Sequence, residues 1–165
     1  MAKDLLMSWL NDAYAMERAL LPILRNHARD CEPSMPEAAA RIRQHIDETE
    51  THARRIEDCL RILGATPSNV KWALGSALGT AQSVMTGLFS DETVKNVLTD
   101  YATEQFEVGA YSALVAAAEE LGQNEIAHLC GENLREDQLM AAWLEQRIPG
   151  VVAQAVAQRS TAPRP

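Results

Sequence analysis

Apolar side chains recur along this chain with the period of an α-helix, and the runs are separated by short stretches of turn residues. In the first run, from about Lys3 to His27, Leu6, Leu10, Ala13, Glu17, Leu20 and Leu24 follow one another at alternating steps of four and three, which lines one face of a helix. After a break over residues 31–36, Ser34, Pro36 and Glu37 read as a capping box with proline in the first turn. The second helix then carries Ile42, His45, Thr49, His52, Ile56, Cys59 and Leu63, and stops at Gly64. Asp91 to Leu121 predicts a third helix with Val97, Tyr101, Glu104, Val108, Tyr111, Val115 and Ala118 on one face and Gly122 as its stop. The fourth, about Asn124 to Arg147, has Ile126, Leu129, Asn133, Glu136, Met140 and Trp143, with Pro149 and Gly150 closing it.

Between the second and third helices, residues 65–90 are too many for an unstructured loop in a compact domain. Their middle, 70–88, is rich in Ala and Leu but loosened by Gly75 and Gly79, and predicts a weaker packed helix. About 18 residues at about 1.5 Å each span roughly 27 Å, enough to cross most of a bundle. The expected fold class is therefore all-α, one domain over residues 1–158, with a polar, proline-containing disordered tail at 159–165.

Each of the four apolar faces is interrupted by polar residues near mid-helix: Glu17, then His45 to His52, then Glu104, then Glu136. Stacked as a bundle, these interruptions meet at one level. Carboxylates left unpaired in an apolar core cost several kcal/mol each unless they are protonated, hydrogen-bonded or bound to metal. His45, Glu48 and His52 lie within about 60° of one another around the helix, and Glu104 and Glu107 are three apart and can reach the same point. Carboxylates and imidazoles without thiolates suit Fe or Mn, with Zn also compatible, and bridging carboxylates could hold two ions. The competing reading is a hydrogen-bonded network without metal, in which some glutamates stay protonated and Tyr14, Tyr101 and Tyr111 donate to the others. In either case repulsion and burial predict raised carboxylate pKa values in the metal-free protein.

Charge and composition narrow the partners. Among 165 residues, 15 Lys and Arg against 23 Asp and Glu give a net charge of −8, which argues against a nucleic-acid binder. The absence of a long apolar run or cleavable leader predicts a cytoplasmic protein with no membrane partner. Cys31, Cys59 and Cys130 are widely spaced and odd in number, which predicts idle or buried thiols and no disulfide framework. Trp9, Trp72 and Trp143 read as core or interface anchors, His27 and His128 as polar-face residues, and Arg54 and Arg55 as solvated. No phosphate-cradling glycine loop and no nucleophile elbow is present.

Taken together, Asp12-Ala-Tyr14-Ala-Met-Glu17, His45-Ile-Asp-Glu48-Thr49-Glu-Thr-His52, Glu104-Gln-Phe-Glu107-Val-Gly-Ala-Tyr111 and Leu134-Arg-Glu136-Asp137 resemble the YciE/YciF family of bacterial ferritin-like proteins. The resemblance covers about residues 4 to 147. It implies a ferritin-like four-helix bundle with one long crossover, often a homodimer, with a di-metal centre and a link to stress responses. Residue by residue, it carries the family's acids onto Glu17, Glu48, Glu104, Glu107 and Glu136, with His45 preceding Glu48 and His52 completing the ligand set expected here. Glu104 and Glu107 also resemble the Glu-x-x-Glu pair of rubrerythrin-type peroxide-reducing proteins. The sequence departs from the family at Gln105, where histidine is usual, at Arg135, where an acid is usual, and at Gly79 and Thr80, where the crossover often has glutamates. Helix four offers Asn133, Glu136 and Asp137 but no imidazole. The implied function is a metal-binding protein, most simply di-iron or di-manganese, acting on peroxide or dioxygen as a ferroxidase-like or peroxidase-like oxidoreductase. The alternative is a non-enzymatic structural or interaction bundle.

Overall fold

The computed structural model of the chain describes residues 2–67 and 91–161. They form four helices, α1 (Ala2–Cys31), α2 (Pro36–Ile62), α3 (Glu92–Glu120) and α4 (Asn124–Thr161). No strand occurs among the described residues. The helix expected over 70–88, with Trp72, lies outside the described residues.

Each boundary has a local cause. Met35, at φ −141° and ψ 66°, is the N-cap of α2, and no side chain caps it, so the Ser34 capping box is not formed. Pro36 at the first helical position disfavours helical backbone at the residue before it, so the non-helical cap falls at Met35 and not at Ser34. Asp91 caps α3 conventionally, its carboxylate accepting from the Thr93 and Val94 amides at 3.1 Å each. Gly64 and Gly122 take positive φ, 78° and 65°, beyond the ends of α2 and α3. The Ala65 amide then bonds to the Leu60 carbonyl at 2.9 Å and the Gln123 amide to the Ala118 carbonyl at 2.8 Å, the six-to-one bonds of a Schellman stop.

α4 differs from the sequence expectation, because it continues through Pro149 and Gly150 to Thr161. Leu144 and Val151, seven residues apart and both buried, keep one packed face continuous across the proline. That packing offsets the one intrahelical hydrogen bond Pro149 cannot make.

Two antiparallel hairpins, α1 with α2 and α3 with α4, pack together through α1 on α3 and α2 on α4. His27 and Glu17 of α1 meet Asp100 and Tyr111 of α3, and His52 and Arg55 of α2 meet Glu136 and Asn133 of α4, so both cross-hairpin contacts are antiparallel too. It follows that α2 and α3 run in the same direction on a diagonal. The end of α2 and the start of α3 thus lie at opposite ends of the bundle, as a four-helix fold with a long crossover requires.

Above and below the polar level the core is ordinary, with Leu6, Leu10, Ile56, Leu60, Ile126, Met140 and Leu144 nearly or fully removed from solvent. Truncating such a residue loses transfer energy and leaves a cavity. Ile56→Ala is expected to lower stability by about 2–5 kcal/mol. Leu139, 68% exposed, provides the comparison, with Leu139→Ala expected within about 0.5 kcal/mol of wild type. Urea unfolding midpoints check both, and equal shifts would contradict this packing.

Candidate metal centre

Around the middle of the bundle the core turns polar. Glu17, His45, Thr49, His52, Glu104, Glu107, Asn133 and Asp137 are each at most 2% exposed. His45 and His52 are seven residues apart, about 10.5 Å along the axis of α2. Their ring centres are nevertheless 6.3 Å apart, so the two imidazoles lean toward a common level.

His45 joins the two diagonal helices. Its Nε2 lies 2.9 Å from Glu104 Oε1, and its Nδ1 lies 2.9 Å from Glu48 Oε2. Burial opposes a charge on this ring, but the negative charge of Glu104 and hydrogen bonds to Glu104 and Glu48 overcome it and raise the pKa to about 10. His45 is therefore an imidazolium at neutral pH that donates from both nitrogens. His52 Nε2 lies 2.8 Å from Glu136 Oε2, while Nδ1 stands 3.4 Å from Glu17 Oε1 and 3.5 Å from Asp137 Oδ1 without an aligned hydrogen bond to either. Here too burial opposes the charge and Glu136 and Glu17 prevail, raising the pKa to about 9.

Among the acids, burial dominates. It raises Asp137 to about 8, with the charges of Glu104 and Glu17 adding to it against the opposing pull of His52. It raises Glu107 well above the usual carboxylate range, reinforced by Glu17 and Glu104, and raises Glu104 against the pull of His45. Tyr111 donates to Glu17 Oε1. Glu17 Oε2, Glu104 Oε2 and both oxygens of Asp137 are buried with no hydrogen-bond partner. Orphaned carboxylate oxygens of this kind are costly in a dry core, and a cation would satisfy them.

Four buried residues, His45 of α2, Glu104 and Glu107 of α3 and Asp137 of α4, each offer one ligand atom, and all four atoms lie within 4.8 Å of one another. One nitrogen and three carboxylates on rigid helices form a donor set suited to iron or manganese and compatible with zinc. Glu17 and His52 border this group from α1 and α2.

Glu48 and Glu136 stand at its margin. Glu48 is held by Arg41 at 3.1 Å and by Gln44 at 2.8 Å, and Glu136 by Arg55 at 2.7 Å. Their side chains are 20% and 31% exposed. The hydrogen bond from His52, together with Arg55, holds Glu136 down to about 2 although burial opposes it. Burial also works against the Glu48 charge, and His45 and Arg41 outweigh it, lowering the pKa. In the arrangement described, each imidazole is backed by a carboxylate that is itself tied to an arginine.

The sequence names Asp137 among the polar residues of helix four but puts Glu136, not Asp137, in the ligand set, and it gives no sign of Arg41 or of the role of Arg55, which is drawn in by Glu136, Glu132 and Asn133 and is not freely solvated. A detectable signal for Asp137 exists: with Cys130 and Leu144 it completes the buried face set by Ile126, Asn133 and Met140. His27 also departs from expectation, being buried with its Nδ1 2.6 Å from Asp100 Oδ1, because it continues the face of Leu20 and Leu24. Trp9 is 39% exposed, whereas Trp143 packs on the core with the Arg147 guanidinium 5.0 Å from its ring centre.

Comparisons with solved structures return the same architecture. A protein of Xanthomonas campestris pv. campestris matches with 29% identity and a TM-score of 0.81, over 97% of this chain and 99% of that one. YcfI of Rhodopseudomonas palustris matches with 26% identity and a TM-score of 0.76, over 88% of this chain and 93% of that one. The E. coli stress protein YciF shares the fold at 20% identity and a TM-score of 0.79, over 93% of this chain and 98% of that one. The model of a domain of unknown function, DUF892, matches residues 1–157, and the chain belongs to that family.

Proposed function

We propose that the protein is a ferritin-like metal-binding bundle in which His45, Glu104, Glu107 and Asp137 hold a divalent cation, iron or manganese by donor chemistry. The observation that carries this reading is the convergence of four buried ligand atoms with carboxylate oxygens that have no partner. Glu17 and His52 are the proposed donors to a second ion. Glu48 and Glu136 would act by fixing the imidazoles, or by swinging inward as further ligands when freed from Arg41 and Arg55. Iron held there would supply Lewis acidity and redox chemistry toward peroxide or dioxygen, in line with the stress role named for YciF.

The chain's own part is acid–base and steric. The surrounding apolar layers exclude water, Tyr111 holds Glu17 through its hydroxyl, and His45, Glu107 and Asp137 carry protons that must leave before their lone pairs can face a cation. We extend the proposal to a cytoplasmic homodimer on the family resemblance. Among the described residues, no helix is long and apolar enough to cross a membrane.

A second reading, a metal-free bundle with a structural or interaction role, draws on the arginine ties that satisfy Glu48 and Glu136 without a cation. Metal content separates the two. Protein purified without chelator is expected to hold iron or manganese, and Glu17→Gln, Glu104→Gln and Asp137→Asn are each expected to lose most of it. Glu50→Gln, at a surface residue paired with Arg25, is expected to retain it. Elemental analysis giving equal metal in all four variants would sink the assignment.

The pH dependence of the metal-free protein follows from the raised pKa values. Asp137 at about 8, His45 at about 10 and His52 at about 9 all bind protons in the folded state that the unfolded chain has already released. Stability therefore falls as pH rises, first between the ordinary aspartate range and about 8, then from the ordinary histidine range toward 9 to 10. Metal favours the deprotonated ligands and binds only the folded site, so it should stabilise most at the alkaline end. Thermal unfolding from pH 5.5 to about 9, with and without anaerobic Mn²⁺, checks this. A metal-free Tm that climbs steadily across that range would contradict it.

A further inference from the structure

Two of the three cysteines face each other across the seam between the hairpins. α2 and α4 are antiparallel and in fixed register: His52 meets Glu136 at 2.8 Å, and one turn on Arg55 meets Asn133 at 2.9 Å. The next turn along α2 brings Cys59, and the next turn back along α4 brings Cys130. Both are fully buried core residues with free thiols. The two thiols are close enough to hydrogen-bond, and this contact, with burial, raises the pKa of Cys130 and keeps its proton in place. Each lies seven residues from the polar level, Cys59 from His52 and Cys130 from Asp137, about 10.5 Å along its helix.

We propose that Cys59 and Cys130 are a redox-active dithiol that closes to an intramolecular disulfide when hydrogen peroxide enters the bundle. The arrangement selects its oxidant by size. Sulfurs with no exposed surface are closed to glutathione and protein thiols, whereas peroxide is small and uncharged. Because Cys130 keeps its proton beside Cys59, we assign Cys59 as the attacking sulfur and Cys130 as the resolving one. In the first step the Cys59 sulfur bonds to one peroxide oxygen, the O–O bond breaks, and the departing hydroxide leaves as water with the thiol proton. In the second, the Cys130 sulfur bonds to the Cys59 sulfenic sulfur, the S–O bond breaks, and that hydroxyl leaves as a second water with the Cys130 proton. Two thiols lose two electrons and one peroxide becomes two waters.

The bridge would fasten the α1/α2 hairpin to the α3/α4 hairpin and close a loop of about 70 residues, which restricts the unfolded chain and raises Tm. Cys31 takes no part. It is the last residue of α1, beside the start of α2, whereas Cys59 lies in the last turn of α2 at the other end of the bundle.

The inference does not depend on a bound metal, so its test uses the full chain freed of metal and fully reduced. The protein is treated with hydrogen peroxide, quenched, unfolded and alkylated with N-ethylmaleimide. Intact mass is expected to show loss of two of the three alkyl tags, a peptide map to show Cys59 joined to Cys130, and Tm to rise. Cys31→Ser should leave the link intact, and Cys59→Ser or Cys130→Ser should each abolish it. Because the wild-type map decides the matter, a poorly folding variant does not. Retention of three tags, oxygen adducts without a cross-link, or any link through Cys31 would overturn the proposal.

Discussion

Charge removed from water is the constraint on which this bundle turns. Glu17, Asp100, Glu104, Glu107 and Asp137 are buried together with His27, His45 and His52, and a buried carboxylate is tolerated only when it is protonated, paired or bound to a cation. The structure uses the first two solutions at once. Burial and neighbouring negative charge favour the protonated forms of Glu107 and Asp137, and the histidine rings sit against Glu104 and Glu136. The same contacts tie the helices together: His45 to Glu104 joins the diagonal α2 and α3, Tyr111 to Glu17 joins α3 and α1, and His52 to Glu136 joins α2 and α4.

Stability alone does not account for such a centre. Replacing buried ionic groups by packed apolar ones is often neutral or stabilising, and several carboxylate oxygens here remain without any partner. The proposed cation site would give those lone pairs a partner. The arginines at the margin, Arg41 and Arg55, fit the same logic, since each holds the carboxylate that orients one imidazole.

Much of this was legible in the sequence. The faces of α1 and α2 read correctly almost residue by residue, because Leu6 to Leu24 and Ile42 to Cys59 leave no competing choice of phase. In α3 and α4 the face was one residue off at alternate positions. Glu104, Tyr111 and Ala118 are shared by two possible stripes, and Tyr101 competes with Asp100, Val108 with Glu107 and Val115 with Leu114. Ile126, Asn133 and Met140 are likewise shared, with Leu129 against Cys130 and Glu136 against Asp137. Where both members of a pair are apolar, or both acidic, hydrophobicity cannot choose between a step of three and a step of four, and at Tyr101 against Asp100 and Val108 against Glu107 it points to the less buried residue. Packing chooses, and it buries Asp137 while leaving Glu136 to Arg55. The arginine partners were hidden for another reason, since a basic residue beside an apolar face reads as solvated unless its acidic partner on another helix is known.

The central claim is that the protons and imidazolium charges of the core stand in for a cation. Anomalous scattering from crystals grown or soaked with Mn²⁺ tests it most directly, with the position of the metal as the readout. The account predicts a peak among His45, Glu104, Glu107 and Asp137, with ligand distances of about 2.0–2.3 Å, and the Glu104 and Asp137 oxygens turned onto it. A density map with no peak inside the bundle, or with manganese only at surface carboxylates, would contradict it.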